Sequence, residues 1–354
     1  MNSTDTTLNL LYIVRRFGPV GGMERYVWEL TRELAGMGHR VSVLCEAIHA
    51  DAAPPGVACI ELGTVRPRPR WLAHLRFSRK ITQWVATHPD TSRIIHSHER
   101  TAVHHTTTFH GPPFASVLDK PFWKRCSPRI YANLWLEKRE VCNKQVQAVI
   151  ANSPMIADAL HHYYPCIGAR MAAPIAPGVG DIPVRPTHPP IEDGGTIGFI
   201  GKEWQRKGLD VAIETVKSLR QQRPNILFVV VGPQAADIRH LFADWNGGYS
   251  LLGETDSTQL YTGFDLLLHP ARQEPYGMVI AEARAAAVPV LVSDACGIAP
   301  ELEPEAVLSL HSGTEAWVSA CLSLLGSERK PEIRSWRTVA EEQVRCYMHL
   351  TPDL

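Results

Sequence analysis

The chain contains no apolar run of 18 residues, so nothing in it reads as a helix able to span a bilayer. Its opening, MNSTDTTLNLLYIV, has no basic stretch ahead of its short apolar run, which argues against a secretory signal. The eight cysteines include no C-x-x-C and keep no regular spacing. That speaks against a zinc site or a disulfide framework and predicts reduced thiols in a cytoplasmic protein. No G-x-G-x-x-G opens a helix, so a nicotinamide cofactor is not expected. Internal repeats and low-complexity tracts are also missing. The zero net charge hides a split: residues 1–186 carry 22 Lys/Arg against 14 Asp/Glu, and the remainder carries 14 against 22. Two halves of opposite sign are expected to meet different partners.

With 354 residues the chain exceeds what one core usually serves, and two domains are expected. Short apolar runs alternate with longer helical patterns. LNLLYIV (8–14) reads as a buried strand, the segment from Gly21 as a helix with Val27, Leu30, Leu34 and Met37 on one stripe, and RVSVLCE (40–46) as the next strand. RIIHSH (93–98), HHTTTFH (104–110) and QAVIANS (147–153) continue the series. A Pro- and Gly-rich linker, 173–195, halves the chain, and a second series follows from TIGFIG (196–201) through ILFVVVG (226–232), YSLLG, FDLLLHP and VPVLVSD. The fold class is therefore α/β, with two doubly wound, Rossmann-like domains and a cleft expected at the carboxyl ends of their parallel strands. The expected boundaries are 1–185 and 186–333, with a last helix, about 334–354, returning onto the first domain.

In the second half, Glu274 precedes a proline and so belongs to a loop after FDLLLHP. Gly277 then opens a helix whose first N–H groups, those of Gly277, Met278 and Val279, have no acceptor within the helix and are suited to a phosphate. Glu282 lies further along that helix. Alone, the two glutamates read equally well as surface carboxylates. Upstream, GKEWQRKG places Gly201, Lys202, Lys207 and Gly208 between a strand and a helix, where two lysines could neutralise a departing diphosphate. In the first half, Gly21 and Gly22 open a helix, TTTFH ends a strand on His110, and Ser153-Pro154 reads as a helix cap.

These motifs resemble the family 4 retaining glycosyltransferases of GT-B fold. Glu274 and Glu282 match that family's E-x7-E motif, and GKEWQRKG matches G-[RK]-x4-K-G, with Lys202 in place of the commoner arginine. The resemblance covers almost the whole chain and lies nearest the bacterial lipopolysaccharide-core glucosyltransferases. It implies that Glu274 binds the transferred sugar and Glu282 the ribose. It also implies that Lys202 and Lys207 hold the diphosphate, that Gly22 and Gly201 let backbone approach the donor, and that His110 stands near the reacting sugar. No metal or other cofactor is implied. The implied donor is a nucleoside-diphosphate sugar, a UDP-sugar being favoured, and the implied acceptor a phosphorylated or lipid-linked glycan. His98 is expected to be structural.

VRPRPRWLAHLRFSRK (65–80) holds six Lys/Arg and no acid, with apolar residues interleaved; Arg66, Arg68, Arg70 and Trp71 are its candidates for acceptor or membrane contact. KPFWKRCSPRIYANLW (120–135) repeats that chemistry. A peripheral position on the inner membrane face is expected. No nucleic-acid-binding motif is present. Two other readings stay open on the residues alone: a glycoside hydrolase using paired carboxylates, and a non-catalytic binder of anionic glycans.

Overall fold

The first strand, β1 (Asn9–Ile13), is buried on both faces, with Leu11, Tyr12 and Ile13 fully excluded from solvent. Such a strand belongs at the centre of a parallel sheet with helices on either side. In the computed structural model, which describes residues 7–187 and 192–350, this is its place. The chain continues through β2 (Arg16–Phe17), α1 (Gly22–Gly36), β3 (Arg40–Cys45), β4 (Ala47–Ile48), β5 (Val57–Glu61), α2 (Arg70–Thr87), β6 (Arg93–Ser97), β7 (Thr106–Phe109), α3 (Pro128–Cys142), β8 (Ala148–Ala151) and α4 (Pro154–Tyr163). Then follow β9 (Gly195–Ile200), α5 (Leu209–Leu219), β10 (Ile226–Val231), α6 (Ala235–Ile238), β11 (Tyr249–Gly253), β12 (Leu266–His269), α7 (Met278–Ala285), β13 (Val290–Ser293), β14 (Val307–Leu308), α8 (Thr314–Leu324) and α9 (Trp336–Met348).

Two six-stranded parallel sheets result, ordered β5-β3-β1-β6-β7-β8 and β11-β10-β9-β12-β13-β14. Renumbered within each sheet, both read 3-2-1-4-5-6, the doubly wound order whose direction reverses beside its first strand. The reversal lies between β1 and β6 in one sheet and between β9 and β12 in the other. The carboxyl ends of those four strands are where ligand-binding loops belong.

The chain forms two compact units, one holding the residues up to Gly178 and from Ser335 onward, the other Val179–Arg334. Helix α9 packs on α1 inside the first unit, and Trp336, Val339, Ala340, Val344 and Tyr347 join a core with Val27, Leu30 and Leu34. Burying aliphatic side chains of that size stabilises by roughly 1.5–3 kcal/mol each. Trp336 closes tightly over Gly178, where a Cβ would lie 2.8 Å from the indole. Parts of the expected linker and last helix, 188–191 and 351–354, lie outside the described residues.

Two expectations are corrected. Cys142 and Cys166 form a disulfide, leaving six of the eight cysteines as thiols. The fold brings the end of α3 beside the turn after α4, a proximity that a spacing of 24 residues does not announce. Of the apolar residues of 65–80, Phe77 is withdrawn from the surface, whereas Trp71, Leu72 and Leu75 stay half-buried. Most of that segment lies on α2, whose Phe77 is 1% exposed and packs with Leu11, Ile13, Leu44 and Ile81.

Candidate active site

The second unit assembles its site at the β9/β12 reversal. After β9 the chain passes Gly201 and turns through Gly208, which holds a φ of 76°. A Cβ on Gly208 would sit 1.9 Å from the carbonyl oxygen of Pro270, so only glycine lets the 201–208 loop lie against the loop after β12. Polar contacts then stitch the loops together. The Arg272 amide donates to the Arg206 carbonyl at 2.8 Å, and the Arg272 guanidinium reaches the Gln205 carbonyl at 2.7 Å and both oxygens of Asp210 at 2.9 and 2.6 Å. On its other side the Glu274 backbone bonds Ala295 and Gly297, at 3.0 and 2.8 Å.

Glu274 is thereby held 8% exposed, its Oε2 lying 2.8 Å from Lys207 Nζ, 3.7 Å from Arg206 and 3.4 Å from His269 Nε2. Burial works against its charged form, but the contacts with His269 and Lys207 prevail and bring the carboxyl to about 2. Glu274 is therefore an anion throughout the physiological range. His269 is fully buried and kept neutral by that burial, and neither of its ring nitrogens meets a partner in hydrogen-bond geometry among the described residues. Gly277, at a φ of 115°, caps α7, and the N–H groups of Gly277, Met278 and Val279 lie at its open end.

Of the four charged residues predicted to converge, the structure joins two, Lys207 and Glu274. Lys202 instead pairs with Glu254 at 2.5 Å, both side chains well exposed, a contact that contributes little in water. Glu282 accepts a 2.7 Å hydrogen bond from Tyr261. A Cβ on Gly201 would fall 2.0 Å from Lys207 Cδ and displace that side chain, whereas one on Gly22 would meet open space. Sequence reasoning passed over Arg206 and His269. Arg206 lies within the variable part of GKEWQRKG, and His269 ends the β12 run, so position beside a motif was the only signal.

The first unit has a cavity of about 1460 Å³ whose lining comes from the carboxyl ends of β1, β6 and β7 and from α2 and α3. His110 opens onto it, as do Arg68, Arg70 and Trp71; Arg66 is exposed outside it. Arg15 binds Glu46 at 2.6 Å, Arg16 is paired with Glu24, and Arg100 donates to Glu137 at 3.0 Å. Arg68, Arg70 and Arg129 have no ion-pair partner among the described residues, so the lining offers them for anions. Glu140, also on the wall, accepts from Thr107 at 2.9 Å, and burial pushes its carboxyl up to about 8. Ser153 caps α4, its Oγ accepting from the Ile156 amide.

Comparisons with known proteins bear on the family and the fold. Residues 20–179 match the model of "Glycosyltransferase Family 4", and 194–327 that of "Glycosyl transferases group 1". The lipopolysaccharide glucosyltransferase WaaG of Escherichia coli (strain K12) is 39% identical over 105 residues, 28% of either chain, so this chain covers well under two thirds of that relative. The crystal structure of WaaG superposes with a TM-score of 0.71 at 19% identity, covering 97% of this chain and 95% of that one. Anabaena HepE in complex with UDP-glucose gives 0.68 at 15% identity, covering 97% and 100%. No helix among the described residues is long and apolar enough to cross a membrane. The chain belongs to glycosyltransferase family 4 and is a transferase of GT-B fold.

Proposed function

We propose that the protein transfers a hexose, with retention of anomeric configuration, from a UDP-sugar to a hydroxyl of a phosphorylated, cell-surface glycan such as a lipopolysaccharide core. The observation that carries the donor assignment is the buried Glu274–Lys207 pair at the β9/β12 reversal, beside the open end of α7. Lys207 supplies cationic charge for a diphosphate, the α7 amides supply donors, and the permanently ionised Glu274 accepts from sugar hydroxyls. HepE, of the same fold, is solved with UDP-glucose. Lys202 is free to turn toward a phosphate once it leaves Glu254, and Glu282 accepts from a ribose beside Tyr261. With this cationic charge in place, we expect transfer to persist in excess chelator.

The unpaired arginines of the first-unit cavity support an anionic acceptor. Phe122, Trp123, Tyr131 and Trp135 are 54–67% exposed on and ahead of α3, among Lys120, Lys124 and Lys138. Exposed aromatic and basic residues together fit an anionic membrane face and support peripheral attachment on the cytoplasmic side. The test is transfer of radiolabelled sugar from UDP-, GDP- and ADP-hexoses to phosphorylated and dephosphorylated core oligosaccharides. Turnover confined to UDP donors and phosphorylated acceptors is the expected result; glycan hydrolysis without any nucleotide would contradict it.

A further inference from the structure

The carboxyl edge of the first sheet carries a column of imidazoles. His96, His98 and His110 stack with ring centroids 4.4 and 5.1 Å apart. His96 uses both ring nitrogens. Its Nδ1 lies 2.5 Å from the Tyr347 hydroxyl, which itself meets the Tyr12 hydroxyl at 2.5 Å, and its Nε2 lies 2.8 Å from Thr108 Oγ1. His98 is different. Its Nδ1 lies 2.8 Å from His110 Nε2, but its Nε2 is buried with no hydrogen-bond partner among the described residues. Tyr12 stacks alongside its ring and Tyr26 lies tilted against it.

Burial keeps both rings neutral, so one proton lies between His98 Nδ1 and His110 Nε2. It has two possible owners. If His110 donates, His98 must carry its own proton on Nε2, leaving a buried N–H with no acceptor. If His98 donates, its Nε2 presents only a lone pair. Orphaned buried N–H donors are the rarer and costlier defect. The second arrangement is favoured, and it leaves the His110 proton on Nδ1, the ring nitrogen not engaged by His98.

We infer that His98 is a positioning residue that locks His110 in its Nδ1–H tautomer, so that His110 presents a neutral hydrogen-bond donor to an oxygen of the ligand in the first-unit cavity. This specifies what His110 does under the proposed transfer reaction and rests on that reading for its catalytic consequence. A neutral donor suits a sugar hydroxyl or phosphate oxygen, and the hydrogen bond to the second nitrogen decides which nitrogen donates. Asn152 steadies the same residue from the backbone, its Nδ2 donating to the His110 carbonyl at 3.2 Å. The imidazole column also links the cavity to Tyr347 on α9.

The test is a long-range proton–nitrogen correlation spectrum of the full chain labelled with 15N-histidine and free of ligand, the His110 signals being identified by their loss in His110→Gln. The expected result is a single Nδ1–H tautomer for both His98 and His110; an Nε2–H His110 overturns the inference, and this readout needs no variant at position 98. His98→Leu should then release the tautomer of His110 and lower kcat about 10²-fold with donor KM within about threefold. His98→Asn, whose amide N–H takes the place of Nδ1–H, should recover at least about tenfold of that loss. Equal activity of the two variants with an unchanged His110 tautomer also overturns it. An Nδ1–H His110 in a wild-type protein that turns over no nucleotide sugar would support the tautomer assignment and contradict the transferase reading, so the two are separable.

Discussion

Glu274 is the residue on which the donor assignment turns, because it is an anion held in a mostly buried place among Lys207, His269 and Arg206. Replacing it with glutamine keeps its shape and removes the charge that Lys207 neutralises. Glu274→Gln should lower kcat/KM about 10²–10³-fold, while circular dichroism and the thermal midpoint show a folded protein; activity within threefold of wild type would remove Glu274 from the site. Gly208 is demanding for a different reason. Its left-handed backbone and the 1.9 Å approach to Pro270 predict that Gly208→Ala destabilises by at least about 2 kcal/mol in urea unfolding. Both residues were legible in the sequence because a glycine or a glutamate at a fixed place beside a strand end implies a chemistry. Arg206 and His269 were not, since their roles depend on how two loops lie against each other. The pairing of Lys202 with Glu254 was illegible for the same reason: 52 residues separate them.

Among the elements, the central strands were the easiest to read. LNLLYIV and ILFVVVG are apolar nearly throughout, and both became interior strands, β1 and β10. Less apolar strands escaped: β5, with only Val57 buried, lies at a sheet edge and alternates too weakly to be seen. The basic segments show how periodicity decides exposure. On α2 a buried stripe of Ala73, Phe77 and Ile81 turns the apolar residues inward, whereas the Phe122–Lys124 turn and α3 leave four aromatics in solvent. Phe122→Ser combined with Trp123→Ser should therefore reduce sedimentation with phosphatidylglycerol vesicles by at least about tenfold while UDP binding is unchanged, each buried aromatic contributing on the order of 1–2 kcal/mol. Neutralising Arg66, Arg68 and Arg70 should weaken vesicle or acceptor binding most at low salt. Unaltered sedimentation in both variants would place membrane attachment elsewhere.

For the whole molecule, the distribution of titratable groups sets the response to acid. His96, His98, His104 and His110 are neutral because burial lowers them, His104 to about 4 and His110 to about 3, while an unfolded imidazole titrates near 6.5. The unfolded chain thus takes up protons that the native protein refuses. The stability is complete above about 6.5 and is lost as pH falls toward the native values. Glu140, raised to about 8, works in the opposite sense and costs stability as pH rises from 4.5 to 8, but it is one group against these four and against His39, His105 and His269, which burial lowers as well. Glu274, lowered to about 2, contributes fully until pH drops below about 4.5. The thermal midpoint should therefore fall between pH 7 and pH 5; a flat profile would mean that the imidazole column takes up protons in the native state. The 3-2-1-4-5-6 order of both sheets puts His110, Gly201 and the loop carrying Glu274 just past strand carboxyl ends, which is why motif order along the chain carried so much of the functional reading. The most direct measurement is calorimetric titration of UDP, GDP and ADP into the wild-type protein and into Lys207→Met. The account predicts that UDP binds tightest and that Lys207→Met loses at least about tenfold in UDP affinity, as expected for removing a charge-assisted contact; equal UDP affinity in both proteins would contradict it.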